Sequence, residues 1–370
     1  MPFFNARKKL GFGMMRLPLL PDGKVDLPQL CRMVDAFLAA GFNYFDTAHG
    51  YHSGMSEVAV REALTSRYPR SAYLLTDKLT APYFDREEDI RPFFERQLRA
   101  CGVDYFDFYL MHAQDASNFE KFRRCRAYET AFDLKREGKI HHVGLSFHDT
   151  AAVLDRILSA YPDVELVQIQ YNYLDYNDAA VQSRLCYEVC RKHGKPVVIM
   201  EPIKGGSLIN LPSEARPLVE GLGITPANLA LRFAASPDGV MMVLSGMSDL
   251  DQLRENVGFM SDFVPLSDDE TAVAHRVADL IHGQGLIACT ACRYCTDGCP
   301  QKISIPDLFA CMNSKKQFNN WNSSYYYNIH TKHGGRAGDC IGCGKCERIC
   351  PQHLPIRSLL SQVSSEFDRP

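Results

Sequence analysis

Eight short apolar runs alternate with amphipathic stretches over about 250 residues, and the composition changes after about residue 280. These two observations predict an α/β chain: a (β/α)8 barrel followed by a smaller second domain, with domains at 1–280 and 281–370. The apolar runs fall at 10–14, 43–46, 72–76, 106–110, 143–146, 166–170, 197–200 and 241–244. After the first run, PQLCRMVDAFLAAG places apolar residues three and four apart and ends at Gly41, a helix with a glycine stop. Comparable patterns fill the other intervals. A doubly wound open sheet is the alternative, but it normally shows a glycine-rich first turn, and Gly11-Phe12-Gly13 has no third glycine after it. The last helical pattern, SDDETAVAHRVADLI, opens on a capping signal at Ser267 and closes the barrel region.

The 370 residues are 46% hydrophobic and 23% charged, which excludes a disordered chain. With 41 Lys+Arg against 44 Asp+Glu there is no global field to hold nucleic acid, and no local basic patch replaces it. The first residues, MPFFNARKKLGFGMM, lack the uninterrupted apolar stretch of a secretory signal, and no segment reaches the ~18 apolar residues of a membrane span. A cytoplasmic protein is expected, with neither nucleic acid nor membrane as partner. In a reducing compartment, fourteen cysteines point to metal binding or catalysis rather than to disulfides.

Nine of those cysteines lie in residues 281–370, where ten basic residues face six acidic ones. Cys289, Cys292, Cys295 and Cys299 precede Pro300, and Cys340, Cys343, Cys346 and Cys350 precede Pro351, with identical spacing at an offset of 51 residues. A CxxCxxCxxxCP run presents three thiolates to one iron–sulfur cubane, and in two-cluster proteins the fourth cysteine serves the other cluster. On that rule Cys289, Cys292, Cys295 and Cys350 hold one 4Fe–4S cluster, and Cys340, Cys343, Cys346 and Cys299 hold the second. Two zinc sites are the alternative, although zinc ribbons use paired CxxC steps. The region from about residue 285 to 360 resembles a dicluster ferredoxin domain, in the mainly helical form attached to oxidoreductases. Cys31, Cys101, Cys125, Cys186, Cys190 and Cys311 sit in helical patterns and are expected to pack as apolar groups. The aromatic run from Trp321 to Tyr327 is expected to pack or to shield a cluster. His141 and His142 are expected on a loop before a strand.

Chemistry in a (β/α)8 enzyme sits at the C-terminal ends of the strands. The second run opens into Asp46-Thr47-Ala48-His49-Gly50-Tyr51, the third ends at Lys78 and the fourth at His112, so Asp46, Tyr51, Lys78 and His112 share one rim. In that order they resemble the Asp-Tyr-Lys-His tetrad of the aldo-keto reductases, a similarity running over about residues 5 to 265. The resemblance implies hydride transfer between NADP(H) or NAD(H) and a carbonyl or alcohol. Tyr51 is then the general acid, Lys78 lowers the phenol's pKa, Asp46 pairs with Lys78, and His112 polarises the carbonyl.

It further implies cofactor contacts. Gly13, Met14 and Met15 end the first strand, Ser146 and Gln168 bind the carboxamide, and Lys204 and Gly205 approach the pyrophosphate. Gly246, Ser248, Gln252, Glu255 and Asn256 bind the adenosine half. The chain departs from the family in placing Phe147 after Ser146 and Met200 where most members stack an aromatic ring.

Hydride carries two electrons and each cluster exchanges one, and no flavin motif bridges them in this sequence. Three functions follow: a reductase of a small-molecule carbonyl substrate whose clusters are structural or lead to a redox partner protein; an electron-transfer protein with the barrel as docking scaffold; or a cluster-based redox sensor.

Overall fold

The computed structural model describes residues 3–178, 181–318, 322–332 and 334–368. Eight parallel strands close into a barrel in chain order: β1 (Leu10–Gly13), β2 (Tyr44–Asp46), β3 (Leu74–Leu79), β4 (Phe106–Gln114), β5 (Ile140–Phe147), β6 (Leu166–Gln170), β7 (Val197–Met200) and β8 (Val240–Ser245). Each expected run is a strand, because residues covered on both faces read as continuous apolar sequence.

The ends differ from expectation. Residues Arg70–Ala72 form a 3-10 turn, so β3 starts later than the run suggests and continues through Lys78. Polar residues survive inside these strands because they are partnered: Asp77 Oδ1 accepts the Lys78 N–H at 2.8 Å, and Asp107 Oδ2 accepts from Leu75 N at 2.8 Å. His141 and His142 are not on a loop but within β5, where the His142 ring packs 4.2 Å from Phe4 and 5.3 Å from Phe108.

Inside the barrel, large side chains from even strands need room opposite. Tyr44, Phe108, Leu110, Leu166, Met242 and Leu244 share one apolar cluster. The odd strands supply glycine at the same level: a Cβ on Gly11 would lie 2.7 Å from Leu244, and one on Gly144 would lie 2.7 Å from Leu110 and 2.8 Å from Leu166. Alternate filling of layers explains this pairing. Outside, the helix Leu27–Ala39 buries Leu30, Met33, Val34 and Phe37, and Asp26 caps it by accepting from Gln29 N. Its stop is Gly41, at φ +86°.

The chain forms two compact units, and more than one crossing links them. The barrel unit comprises Met1–Asn177, Gln182–Pro202 and Ala227–Ser267. The other is built on Ile203–Pro226 and the chain from Asp268 onward, so it includes the helix Asp268–Gly283. It is mainly helical, with Ile305–Phe318, Asn322–His330 and Ile356–Phe367 contributing to a core that contains Leu308, Phe309, Tyr327, Leu360 and Val363. Tyr327 stacks on Phe367 at 4.7 Å and donates to Asp368 Oδ1 at 2.8 Å. Of the aromatic run, Trp321 lies outside the described residues, while Tyr325 and Tyr326 are exposed. Among the described residues no helix is long and apolar enough to cross a membrane.

Candidate active site and cysteine module

Asp46 ends β2 and Lys78 lies near the end of β3, so parallel pairing brings them side by side. Lys78 Nζ donates to Asp46 Oδ1 at 2.6 Å, to the Thr47 carbonyl at 2.8 Å and to the Tyr51 hydroxyl at 3.2 Å. Tyr51 comes from the turn after β2, and its ring meets His112 of β4 edge-on at 6.0 Å. All four side chains are buried, each less than a tenth exposed. The four residues expected from the sequence therefore converge.

Their electrostatics depart from expectation at one point. Lys78 does not bring the Tyr51 phenol down: burial raises its pKa well above the ordinary value, and Asp46, Asp77 and Glu201 push in the same direction. The physical reason is that a fully buried phenolate would lose its hydration in a site already lined by carboxylates, while the Lys78 ammonium is paired with Asp46. His112 is driven well below the usual imidazole range by burial, then by Lys78 and His148, and is neutral.

Thr80 was not singled out from the sequence, yet its Oγ1 lies 2.7 Å from His112 Nδ1 and fixes the ring. Strand alternation contains the signal, since Thr80 stands two residues beyond Lys78. A buried network behind the lysine was likewise missed. Gln97 Nε2 donates to the Lys78 carbonyl at 3.1 Å and to Glu57 Oε1 at 3.2 Å, while His49 Nδ1 lies 2.8 Å from Glu57 Oε2.

The residues expected at a nicotinamide divide into groups. Ser146 and Gln168 are direct register partners on β5 and β6, both buried. Gln168 Oε1 is buried with no hydrogen-bond partner among the described residues, an acceptor in need of a donor such as a carboxamide N–H. Ser146 Oγ accepts from Ala113 N at 2.8 Å. Gly13 ends β1 and the buried Met14 follows it, its N–H donating to the Asp46 carbonyl, and Met15 and Met200 are partly exposed. After β8, a Cβ on Gly246 would meet Arg16 at 3.0 Å, Ser248 Oγ donates to the Arg16 carbonyl, and Asn256 Nδ2 donates to Ser245 Oγ. Gln252 accepts from Ser248 N at 2.9 Å, and Glu255 is exposed on the helix Leu250–Ser261. Lys204 and Gly205 belong to the second unit: Lys204 Nζ donates to Gln352 Oε1 at 2.9 Å, and Gly205 lies against Thr290.

In that second unit the thiols gather in two sets. Burial lifts the Cys295 thiol to about 12, and Cys292, Cys289 and Cys350 lie close enough to add to the rise. A separate cavity is lined by Cys299, Cys340, Cys343 and Cys346. Each set draws three cysteines from one half of the repeat and one from the other. Thiols are the donors an iron–sulfur cluster takes, and each set supplies four of them, although among the described residues no group of three or more is drawn close enough to hold a metal ion in this structure. Of the six other cysteines, all but Cys31 are buried, as apolar packing requires.

A parallel barrel with a lysine, carboxylate and phenol in contact at its strand ends is the framework of a barrel oxidoreductase. The chain belongs to the aldo/keto reductase family, whose model matches residues 9–278, and residues 288–354 match the 4Fe-4S dicluster domain. It is 26% identical over 322 residues to the NADH-specific methylglyoxal reductase of Escherichia coli K12, covering 74% of this chain and 95% of that protein. It is 25% identical over 256 residues to L-galactose dehydrogenase of Arabidopsis thaliana, covering 63% and 78%. Among solved structures, an aldo-keto reductase from Klebsiella pneumoniae in complex with NADPH superposes with a TM-score of 0.58 at 21% identity, covering 74% of this chain and 95% of that one. The holo form of an aldo-keto reductase from Bacillus halodurans gives 0.59 at 23% identity, covering 75% and 95%.

Proposed function

We propose that the protein is an NAD(P)H-dependent reductase of a small-molecule carbonyl, with a C-terminal module holding two 4Fe–4S clusters. The observation that carries the reading is the Lys78 ammonium, 2.6 Å from Asp46 and 3.2 Å from the Tyr51 hydroxyl on the barrel rim. A reduced nicotinamide supplies the hydride. Ser146 and Gln168 would hold its carboxamide, the unsatisfied Gln168 Oε1 being available to accept an amide N–H. Tyr51 keeps its proton because burial and neighbouring carboxylates oppose ionisation. The substrate oxygen becomes an alkoxide, a far stronger base than a phenolate, and takes that proton as it forms. Lys78 then faces the phenolate, while Asp46 and the Thr47 carbonyl hold the ammonium in place. Neutral His112, its Nδ1 engaged by Thr80, presents Nε2 as a donor to the same oxygen.

In the module, Cys289, Cys292, Cys295 and Cys350 form one ligand set and Cys340, Cys343, Cys346 and Cys299 the other. Such clusters exchange single electrons.

The test is anaerobic NAD(P)H oxidation with a panel of small aldehydes and ketones, methylglyoxal among them. Tyr51→Phe is expected to lower kcat by at least about 100-fold, the range for loss of a general acid. An unchanged rate in that variant overturns the mechanism.

A further inference from the structure

The two halves of the cysteine repeat meet different surroundings. In the first half Thr290 is 2% exposed, and its equivalent in the second, Ile341, is 62% exposed. Cys292 is partly buried, whereas its equivalent Cys343 is exposed. The segment after β7 closes the first half. Gly205, at φ +63°, lies so near Thr290 that a Cβ would stand 2.4 Å from the Thr290 carbonyl oxygen. Beside it the Lys204 ammonium bonds to Gln352, two residues beyond Cys350.

The second half keeps an open face. Ile341 lines the same small cavity as Cys343, which is exposed, and Ile349, three residues beyond Cys346 on the following helix, is 54% exposed. Lys345 and Arg348 are exposed and three residues apart on the short helix Lys345–Ile349; the equivalent positions of the first half hold Tyr294 and Asp297. The nearby acids are engaged: Glu347 accepts from Arg357 Nε at 2.8 Å, and Asp339 accepts from Arg336 N at 2.7 Å. Large exposed aliphatics beside cations mark an interaction surface.

We propose that this face is the docking port of an acidic one-electron carrier protein, which exchanges electrons with the cluster held by Cys340, Cys343, Cys346 and Cys299. The proposal rests on the reading that the module holds clusters. The aliphatic residues exclude water at the contact, and the exposed ligand cysteine shortens the path between centres. Lys345 and Arg348 steer the acidic partner to the site. In each encounter one electron leaves the carrier's reduced iron–sulfur or flavin centre and enters the cluster; no bond is made or broken. The closed first half cannot serve, because its corresponding position is covered by Gly205.

The experiment mixes reduced plant-type ferredoxin, an acidic carrier, with the oxidised, cluster-loaded full-length protein in an anaerobic stopped-flow instrument. The wild type is expected to be reduced rapidly, with a rate that falls as salt rises. Lys345→Glu combined with Arg348→Glu is expected to slow this at least about tenfold and to flatten the salt dependence, while reduction by dithionite stays unchanged. Ile341→Ser, an uncharged change beside Cys340, is expected to slow it without altering the salt dependence. Iron and sulfide content and the EPR signals of each variant report cluster loading separately. A wild type that binds no iron and sulfide overturns the cluster reading and the port with it. Fully loaded variants with wild-type rates overturn the port alone, as does a protein that sediments as a dimer dissociated by Ile341→Ser.

Discussion

His112 is neutral because it is buried within reach of the Lys78 and His148 charges, and that has a consequence for pH dependence. A free imidazole changes charge near pH ~6.5, inside the working range. Here that ionisation is moved well below it, and the Tyr51 proton is lost only well above neutrality. The kcat/KM for carbonyl reduction is therefore expected to be flat from about pH 6 to 8.5, with no inflection where a histidine ordinarily titrates. His112→Ala is expected to lower the plateau without changing its shape. A wild-type inflection near pH 6.5 that disappears in His112→Ala overturns the assignment of a neutral ring. The four rim residues were legible in the sequence because Asp46 ends an apolar run and Tyr51, Lys78 and His112 follow within a few residues of the ends of theirs. The direction of the Tyr51 shift was not. It depends first on burial that only the closed barrel provides, and then on the Asp46, Asp77 and Glu201 carboxylates that the fold brings near the phenol.

At the scale of elements, the junction of β5 and β6 shows how polar groups tie strands that are otherwise apolar. Glu165, just before β6, accepts from Val143 N at 3.0 Å and pairs with Lys135 at 2.6 Å and His142 at 3.0 Å. Burial pushes this carboxyl up, but the His142, Lys135 and Val143 hydrogen bonds outweigh it and hold it at about 2. A depressed carboxyl pKa stabilises the fold above the unfolded value near ~4.3, and that contribution is lost as pH falls toward 2. Glu165→Gln is expected to cost about 1–3 kcal/mol at pH 7 and almost nothing near pH 2, measured by urea unfolding across that range. A pH-independent difference between the two proteins overturns the assignment.

Strand identity was readable here, since residues 166–170 and 197–200 match β6 and β7. Strand ends were not, because β4 runs on through Met111–Gln114 with a register shift against β5. The Lys204-Gly205-Gly206 segment shows a use of its glycine that no local pattern reveals: Gly205 leaves room for the close approach of the Thr290 backbone.

For the whole molecule, the composition step after residue 280 was visible, but the return of Ile203–Pro226 to the second unit was not, because it depends on contacts more than a hundred residues away. The two units differ in what holds them. The barrel has buried side chains in all eight strands, layered around Tyr44, Phe108 and Leu166. The second unit has a smaller core, and Cys289, Cys299, Cys340, Cys346 and Cys350 pack against its rim. On the proposed ligand sets, a small core with its metal ligands at the edge would draw much of its stability from the metal, because the thiolates are tied together only when it is bound. Removing the clusters also frees thiols that, when buried like Cys295, resist ionisation. Chelation under mild oxidation is therefore expected to raise hydrogen exchange in Ile305–Phe318 and Ile356–Phe367 by at least about tenfold, while β1 to β8 keep their protection. Calorimetry should then resolve a low-temperature transition ahead of barrel unfolding. Equal exchange in loaded and stripped protein overturns this division of stability; loss of protection across β1 to β8 as well shows instead that the barrel depends on the clusters.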